Sequence, residues 1–180
     1  MATSRSDTTL RVPPRRGLCW LGLLMALVAT GPVVAADITD PGIACALLEA
    51  HGLKTRGEVE EGSGDGLRCA SIRKSLPLGG EPAHEIRYFV LGRAGRAQSL
   101  NLQLTINSRL ENQAAHRRLL EYTTALMHEA LGVEPPAEMS AAILSGLNGR
   151  FQVGGRNAAV TKGQIRGPLY ELTVSLETGA

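Results

Sequence analysis

The sequence predicts an α+β fold: antiparallel sheet packed against helices, in the order α-β-β-β-α-α-β-β, with one disulfide. Residues 100–106 alternate apolar and polar side chains, which is the two-residue period of a β-strand. Residues 115–130 repeat apolar side chains every three or four positions, as an amphipathic helix does. Two cysteines follow an export signal, and an isolated pair in an exported protein is typical of a disulfide.

Residues 1–36 are predicted to be a signal peptide. An apolar run from Leu18 to Thr30 follows a basic start, and small residues end the segment at Ala36. Cleavage after Ala36 makes residues 37–180 a single α+β domain in the periplasm or outside the cell. The basic start comprises Arg5, Arg11, Arg15 and Arg16.

An alternative for the leader is that it remains as a membrane anchor. Residues 17–36 carry no charge and are long enough to span a bilayer. In that case the domain would be held at the inner membrane. Arg15-Arg16 also leaves open a twin-arginine export route.

Charge and composition after the leader argue against nucleic acid as a partner. Residues 37–180 contain 15 basic and 16 acidic residues, so the basic balance of the whole chain belongs to the leader. Only five aromatic rings remain there, too few for a platform on which bases stack. The core is therefore expected to be aliphatic.

The disulfide is predicted between Cys45 and Cys69. This bond would close a loop of about 25 residues, and chain-entropy models give such a loop a stabilisation of roughly 3–4 kcal/mol. A catalytic redox pair would show Cys-x-x-Cys spacing, which these two residues lack.

The first helix is predicted to begin at Asp40, as N-cap, with Pro41 in its first turn, and to end at Gly52. Its expected buried stripe is Ile43, Ala46, Leu47 and Ala50. The acidic, glycine-rich residues 57–66 follow and are predicted to form a solvated loop. Calcium binding is the alternative, although the ordered ligand series of a calcium loop is missing. Residues 67–73 are predicted to be the next strand, and 75–83 a turn region.

The best-defined element is a hairpin of residues 85–91 and 98–106. Arg93-Ala94-Gly95 suits a three-residue loop whose last residue is left-handed. That loop places Tyr88 opposite Leu100 and Ile86 opposite Leu102 toward the core. On the other face it pairs Arg87 with Asn101, Glu85 with Gln103, and Phe89 with Ser99.

The outer face of this hairpin is the candidate recognition surface. Asn101, Gln103 and Thr105 form its polar row, and an ordinary solvated sheet face is the simpler interpretation. The alternative is a surface that binds an envelope protein or an anionic group, because arginines and one aromatic ring lie nearby. Its candidate residues are Arg87, Phe89, Arg93, Arg96, Asn101 and Gln103.

Two helices and two strands complete the chain. Ser108 and Glu111 suit a capping box for the long helix, and residues 136–147 suit a second helix ended by Asn148-Gly149. Residues 151–161 are predicted to be a strand interrupted by a turn at Gly154-Gly155. Residues 169–177 form the last strand.

No catalytic motif appears in the chain. The four histidines are scattered, and His116 lies at the edge of the apolar helix face, where a hydrogen-bonded structural histidine is expected. Neither a metal nor a cofactor is expected. The function predicted is a non-catalytic binding or accessory module of the cell envelope. The alternative is a small envelope hydrolase whose site is assembled only by folding.

Several segments resemble an uncharacterised family of small exported proteobacterial proteins. They are the two cysteines, "RYFVLGRA", "LNLQLTIN", "MHEALGVEPPAEMSAAILSG" and "YELTV". The resemblance covers Cys45 to Glu177 and implies an exported α+β domain, with no functional residues to carry over. The order of elements is also similar to that of type III secretion chaperones, as an analogy of fold alone.

Overall fold

The computed structural model describes residues 37–56, 66–79, 81–93, 95–166 and 169–179. The proposed leader and residues 57–65 of the acidic loop lie outside these ranges. The predicted α+β class is confirmed, with an eight-stranded antiparallel sheet and three helices. The helices are α1 (Pro41–Ala46), α2 (Asn112–Leu131) and α3 (Ala137–Ser145). The strands are β1 (Thr55–Arg56), β2 (Gly66–Ser71), β3 (Lys74–Leu76), β4 (His84–Arg93), β5 (Arg96–Ile106), β6 (Gly149–Val153), β7 (Arg156–Arg166) and β8 (Leu169–Glu177).

The sheet joins two antiparallel meanders through strands β5 and β8. Its order is β1-β2-β4-β5-β8-β7-β6, and β3 pairs with the first residues of β4. Strand β8 lies beside β5 in unbroken register from Ser99↔Glu177 to Ile106↔Tyr170. The long connection through α2 and α3 therefore carries the chain from β5 to the far edge, and it returns inward through β7 to β8.

Helix α1 and the disulfide fix the N-terminal end. Asp40 caps the helix by accepting from the Ile43 amide at 3.1 Å, as predicted. The expected buried stripe is wrong, because Ala44 and Leu48 are buried whereas Ile43 is exposed. The buried side of this six-residue helix is therefore offset by one position from the predicted stripe and runs through Ala44 to Leu48. The predicted Cys45–Cys69 disulfide is confirmed.

The hairpin has the predicted faces but a register shifted by two residues. Tyr88 lies opposite Leu102, Arg87 opposite Gln103, and Phe89 opposite Asn101. The connection is two residues long rather than three, because Arg93 pairs with Arg96, and Gly95 is left-handed at φ +74°. A bulge between Leu91 and Gly92 of the β4–β5 pairing adds the remaining offset. An even shift leaves each side chain on its original face.

Helix ends differ from the sequence patterns at both long helices. Helix α2 begins at Asn112, after Glu111 in a left-handed conformation, so the predicted capping box does not form. The α3 helix ends at the left-handed Gly146 rather than at Asn148-Gly149. The predicted turn at Gly154-Gly155 is present and separates β6 from β7 as a hairpin.

The core lies between one face of the sheet and the helices. Its largest fully buried members are aliphatic residues of the central strands, of α2 and of the segment around α1, with Tyr88 as the one large ring among those described. The Tyr88 hydroxyl donates to the Ala44 carbonyl at 2.7 Å, which ties α1 to the middle of the sheet. Within the described residues, no helix is both long and apolar enough to cross a membrane.

Candidate functional site

The candidate site lies on the outer face of the sheet, opposite the helices. Because side chains alternate along strands, the residues of β4 and β5 between the core positions point to this face. The neighbouring strand β8 adds Glu171 and Thr173, which lie opposite Thr105 and Gln103. The β4–β5 hairpin and the sequence-distant strand β8 therefore build one continuous surface.

The polar row of β5 is buried, contrary to the expectation of a solvated face. Asn101, Gln103 and Thr105 retain only 4%, 9% and 6% of their exposure. Gln103 and Thr105 contact longer side chains of the neighbouring strands, and buried polar groups of this kind need hydrogen-bond partners. Asn101 finds its partners locally, since its amide donates to the Ser99 side-chain and backbone oxygens.

Gln103 links an arginine to a carboxylate across three strands. Its side-chain oxygen accepts from Arg87 Nε at 2.6 Å, and its side-chain nitrogen donates to Glu171 Oε2 at 2.7 Å. An amide is suited to this position because it is both a donor and an acceptor. The two contacts hold the Arg87 side chain down along the sheet.

A second arginine completes the polar network. Arg73 donates to Thr105 Oγ1 at 3.1 Å and lies 3.7 Å from Glu85 Oε2. Thr105 in turn contacts Glu171 Oε1 at 3.5 Å. Arg73, Arg87, Glu85 and Glu171 thus form a group of two cations and two anions with no net charge.

Arg87 packs on Phe89 at the edge of this network. Its guanidinium carbon lies 4.8 Å from the centroid of the ring, the geometry of a cation–π contact. Partial burial and the nearby Arg73 lower the pKa of Arg87, and Glu171 opposes them. Arg87 Nε donates to the Gln103 side-chain oxygen. The two terminal nitrogens of Arg87 have no hydrogen-bond acceptor among the described residues.

Apolar side chains continue the surface beyond Phe89. Leu91 lies two residues along β4 on the same face and is 40% exposed. Ala70 of β2, a small residue, lies opposite Phe89. Phe89 and Leu91 form a small apolar strip that borders the arginine, which we call the Phe89 strip.

The candidate residues Arg93 and Arg96 lie apart from this group. They are opposite each other in the backbone register at the end of the β4–β5 hairpin. Six residues of strand separate Arg93 from Arg87, a distance of about 20 Å. Arg96 contacts Thr39 Oγ1 at 3.4 Å and so turns toward the N-terminal segment. The six candidates therefore separate into a central group of four and a distal pair.

Two site residues were missed at the level of sequence, Arg73 and Glu171. Glu171 precedes the inward-facing Leu172, so the alternating pattern could have predicted that Glu171 faces outward. The contact between Glu171 and Gln103 could not be predicted, because nothing in the sequence places β8 beside β5. Arg73 was predicted to end a strand of residues 67–73, but β2 ends at Ser71 and Arg73 lies in the connection to β3. The predicted turn region 75–83 was also wrong at its start, because β3 reaches Leu76 and pairs with β4.

The buried histidines are held by hydrogen bonds in the helix-side core. His84 Nε2 lies 2.8 Å from the Leu110 carbonyl, and its Nδ1 accepts from the Asn107 amide. His116 contacts the Leu144 carbonyl and the Tyr170 hydroxyl, as expected of a structural histidine. Within the described ranges, no three His, Cys, Asp or Glu side chains are grouped to hold a metal ion.

Two open concavities lie near the other edge of the sheet. The larger, ≈ 530 Å³, is lined by Arg150, Thr161 and Ser175 among others, and the smaller is ≈ 390 Å³. Both include Asn157 and Glu177, which are joined by a 2.8 Å hydrogen bond. These polar side chains are exposed and bond to one another.

The chain matches no protein-family model, no curated protein and no solved structure. The resemblance to exported proteobacterial proteins and the analogy with secretion chaperones therefore stay predictions. What can be said of function rests on the geometry of the outer face.

Proposed function

We propose that this protein is a binding module of the cell envelope that holds a protein partner on the outer face of its sheet. The contact between Arg87 and Phe89 carries the proposal. A half-buried aromatic ring beside an arginine, bordered by the exposed Leu91, has the composition of an interface centre. The Gln103 bridge holds this group in one arrangement, which lowers the entropy lost on binding.

The disulfide supports action outside the cytoplasm. Disulfides persist in oxidising compartments, and the Cys45–Cys69 bond lies at the junction of α1 and β2. We propose periplasmic or secreted placement after cleavage at Ala36. Intact-mass measurement of protein from the periplasm tests this placement. A mass that retains residues 1–36 would refute cleavage, and two free thiols would refute the disulfide.

Site-specific photo-crosslinking tests the binding surface. A photoreactive amino acid replaces Leu91 beside the proposed contact, and in a separate variant it replaces Arg117, exposed on α2. We expect a protein adduct at position 91, identified by mass spectrometry as one discrete species, and none at position 117. Adding Phe89→Ala to the position-91 variant should remove the adduct.

Two results would contradict the proposal. The first is the absence of any discrete adduct at position 91 in cells that express the protein at its natural level. The second is an adduct whose yield is unchanged by Phe89→Ala, because the contact would then not depend on the ring.

A further inference from the structure

We propose that the partner presents a carboxylate to Arg87 and an apolar side chain to the Phe89 strip. This inference rests on the proposed function and specifies the chemistry of its ligand. The occupant is a segment of another protein in which an acidic residue neighbours an apolar one.

The hydrogen bonds of Arg87 are the first step. Gln103 occupies Nε, so the guanidinium still has the four N–H groups of its two terminal nitrogens. Those two nitrogens have no acceptor in the described part of the chain. Two parallel N–H bonds from one guanidinium match the two oxygens of a carboxylate. Gln103 and the Phe89 ring therefore hold the guanidinium of Arg87 while its terminal N–H groups stay available to an anion.

The local charge decides which anion fits. Arg73 and Arg87 are balanced by Glu85 and Glu171 in the same network. A carboxylate adds one negative charge to this neutral group, whereas a phosphate adds up to two beside two existing carboxylates. Like charges at such distances are unfavourable, so the site favours a carboxylate over a phosphate.

The apolar half of the ligand follows from the neighbouring side chains. The ring of Phe89 lies directly beside the guanidinium, and Leu91 continues the strip with 40% of its surface exposed. Covering this strip removes apolar surface from water and excludes water from the new ion pair. Acidic and apolar groups separated by about one residue would reach both.

Binding of small model acids tests the chemistry directly. The probes are 4-phenylbutyrate, its uncharged amide 4-phenylbutyramide, and phenyl phosphate, titrated into the ¹⁵N-labelled protein by NMR. We expect 4-phenylbutyrate to shift the Arg87 Nε–H signal and to bind at least fivefold more tightly than the amide. Phenyl phosphate should bind no more tightly than 4-phenylbutyrate.

Variants locate the effect on one residue. Arg87→Gln should bring the acid-to-amide affinity ratio close to one, and Arg87→Lys should restore part of it, because lysine keeps the charge but not the paired donors. Arg117→Gln, which removes an arginine from the opposite side of the domain, should leave the ratio unchanged.

Three outcomes would overturn this inference. They are equal affinity for the acid and the amide, failure of every probe to bind, and a clear preference for phenyl phosphate, which would indicate a phosphate-bearing ligand. If the position-91 adduct persists in Arg87→Gln at full yield, the proposed binding surface is retained and only the proposed carboxylate ligand is wrong. If Arg87→Gln does not fold, the Arg87→Lys ratio decides, and an unchanged ratio there rejects paired binding.

Discussion

The guanidinium of Arg87 lies 4.8 Å from the ring of Phe89, two residues further along the same strand and on the same face. Gln103, opposite Arg87, holds the guanidinium from the other side. The Arg87 side chain is therefore held from two sides. It lies on the one face of the sheet that the helices leave open.

The Gln103 bridge is expected to order Arg87 at a modest benefit to stability. Gln103→Met keeps the volume but leaves Arg87 Nε and Glu171 without their amide partner. Because water can reach both groups in part, we expect a loss of about 1 kcal/mol in the free energy of unfolding. Urea unfolding measures it, with Thr173→Val on the next strand as the control. A loss no larger than that of the control would contradict the bridge.

Alkaline pH is expected to destabilise the protein through Tyr88. Burial raises the pKa of Tyr88 far above its ordinary value of 10.0, so the folded state favours the neutral phenol. Its contribution is complete below pH 10 and is lost as the pH rises, by about 1.4 kcal/mol per pH unit. Urea unfolding at pH 9, 10 and 11 should show little loss up to pH 10 and a steeper loss from pH 10 to 11, and Tyr88→Phe should reduce that loss. An identical slope in both proteins would refute the assignment.

Acid is expected to act on His116. Burial lowers its pKa below 6.5, with Lys162 and His84 contributing in the same direction against the Leu144 carbonyl. The folded state then favours the neutral ring, so the contribution of His116 to the free energy of unfolding is fully present above pH 6.5 and is lost as the pH drops below 6.5. NMR titration of the ring signals should give a midpoint under 6.5. A midpoint above 6.5 would show that the imidazolium is the favoured form.

Removing the disulfide is expected to cost about 3–4 kcal/mol, since Cys45 and Cys69 are 24 residues apart. The double variant Cys45→Ala and Cys69→Ala avoids placing a hydroxyl in the buried site of Cys69. Urea unfolding of the variant and of the oxidised protein gives the difference. Equal unfolding midpoints would mean that the bond does not constrain the chain as the loop length implies.

Sequence periodicity predicted which side chains of a strand face the core more accurately than it predicted which residues of two strands pair. Tyr88 and Leu102 were assigned to the core and are fully buried, although the predicted register was wrong by two residues. One residue of the error came from the shorter hairpin connection, and the other came from the bulge, where Ala97 bonds Thr39 and Thr178 from the two ends of the domain. Contacts between such distant segments leave no trace in a local pattern.

The candidate site was predictable only in part, for the same reason. Arg87, Phe89 and Gln103 were chosen correctly as members of one face, because alternation within the hairpin places them there. The contacts of the buried Gln103 and Thr105 were not predictable, since their partners include Glu171 from β8 and Arg73 from the β2–β3 connection. The order of strands in the sheet decided which polar residues became a network.

The most direct test of the account is the free energy of unfolding of Phe89→Ala, measured beside its position-91 crosslinking. If the ring serves binding, its loss should cost about 1 kcal/mol, from partial burial and the contact with Arg87, while the adduct disappears. The fully buried Leu102→Ala provides the core reference, with an expected cost of 2–5 kcal/mol. A cost of about 3 kcal/mol or more for Phe89→Ala, with the adduct retained, would show that the ring belongs to the core and that the contact with the partner does not depend on it.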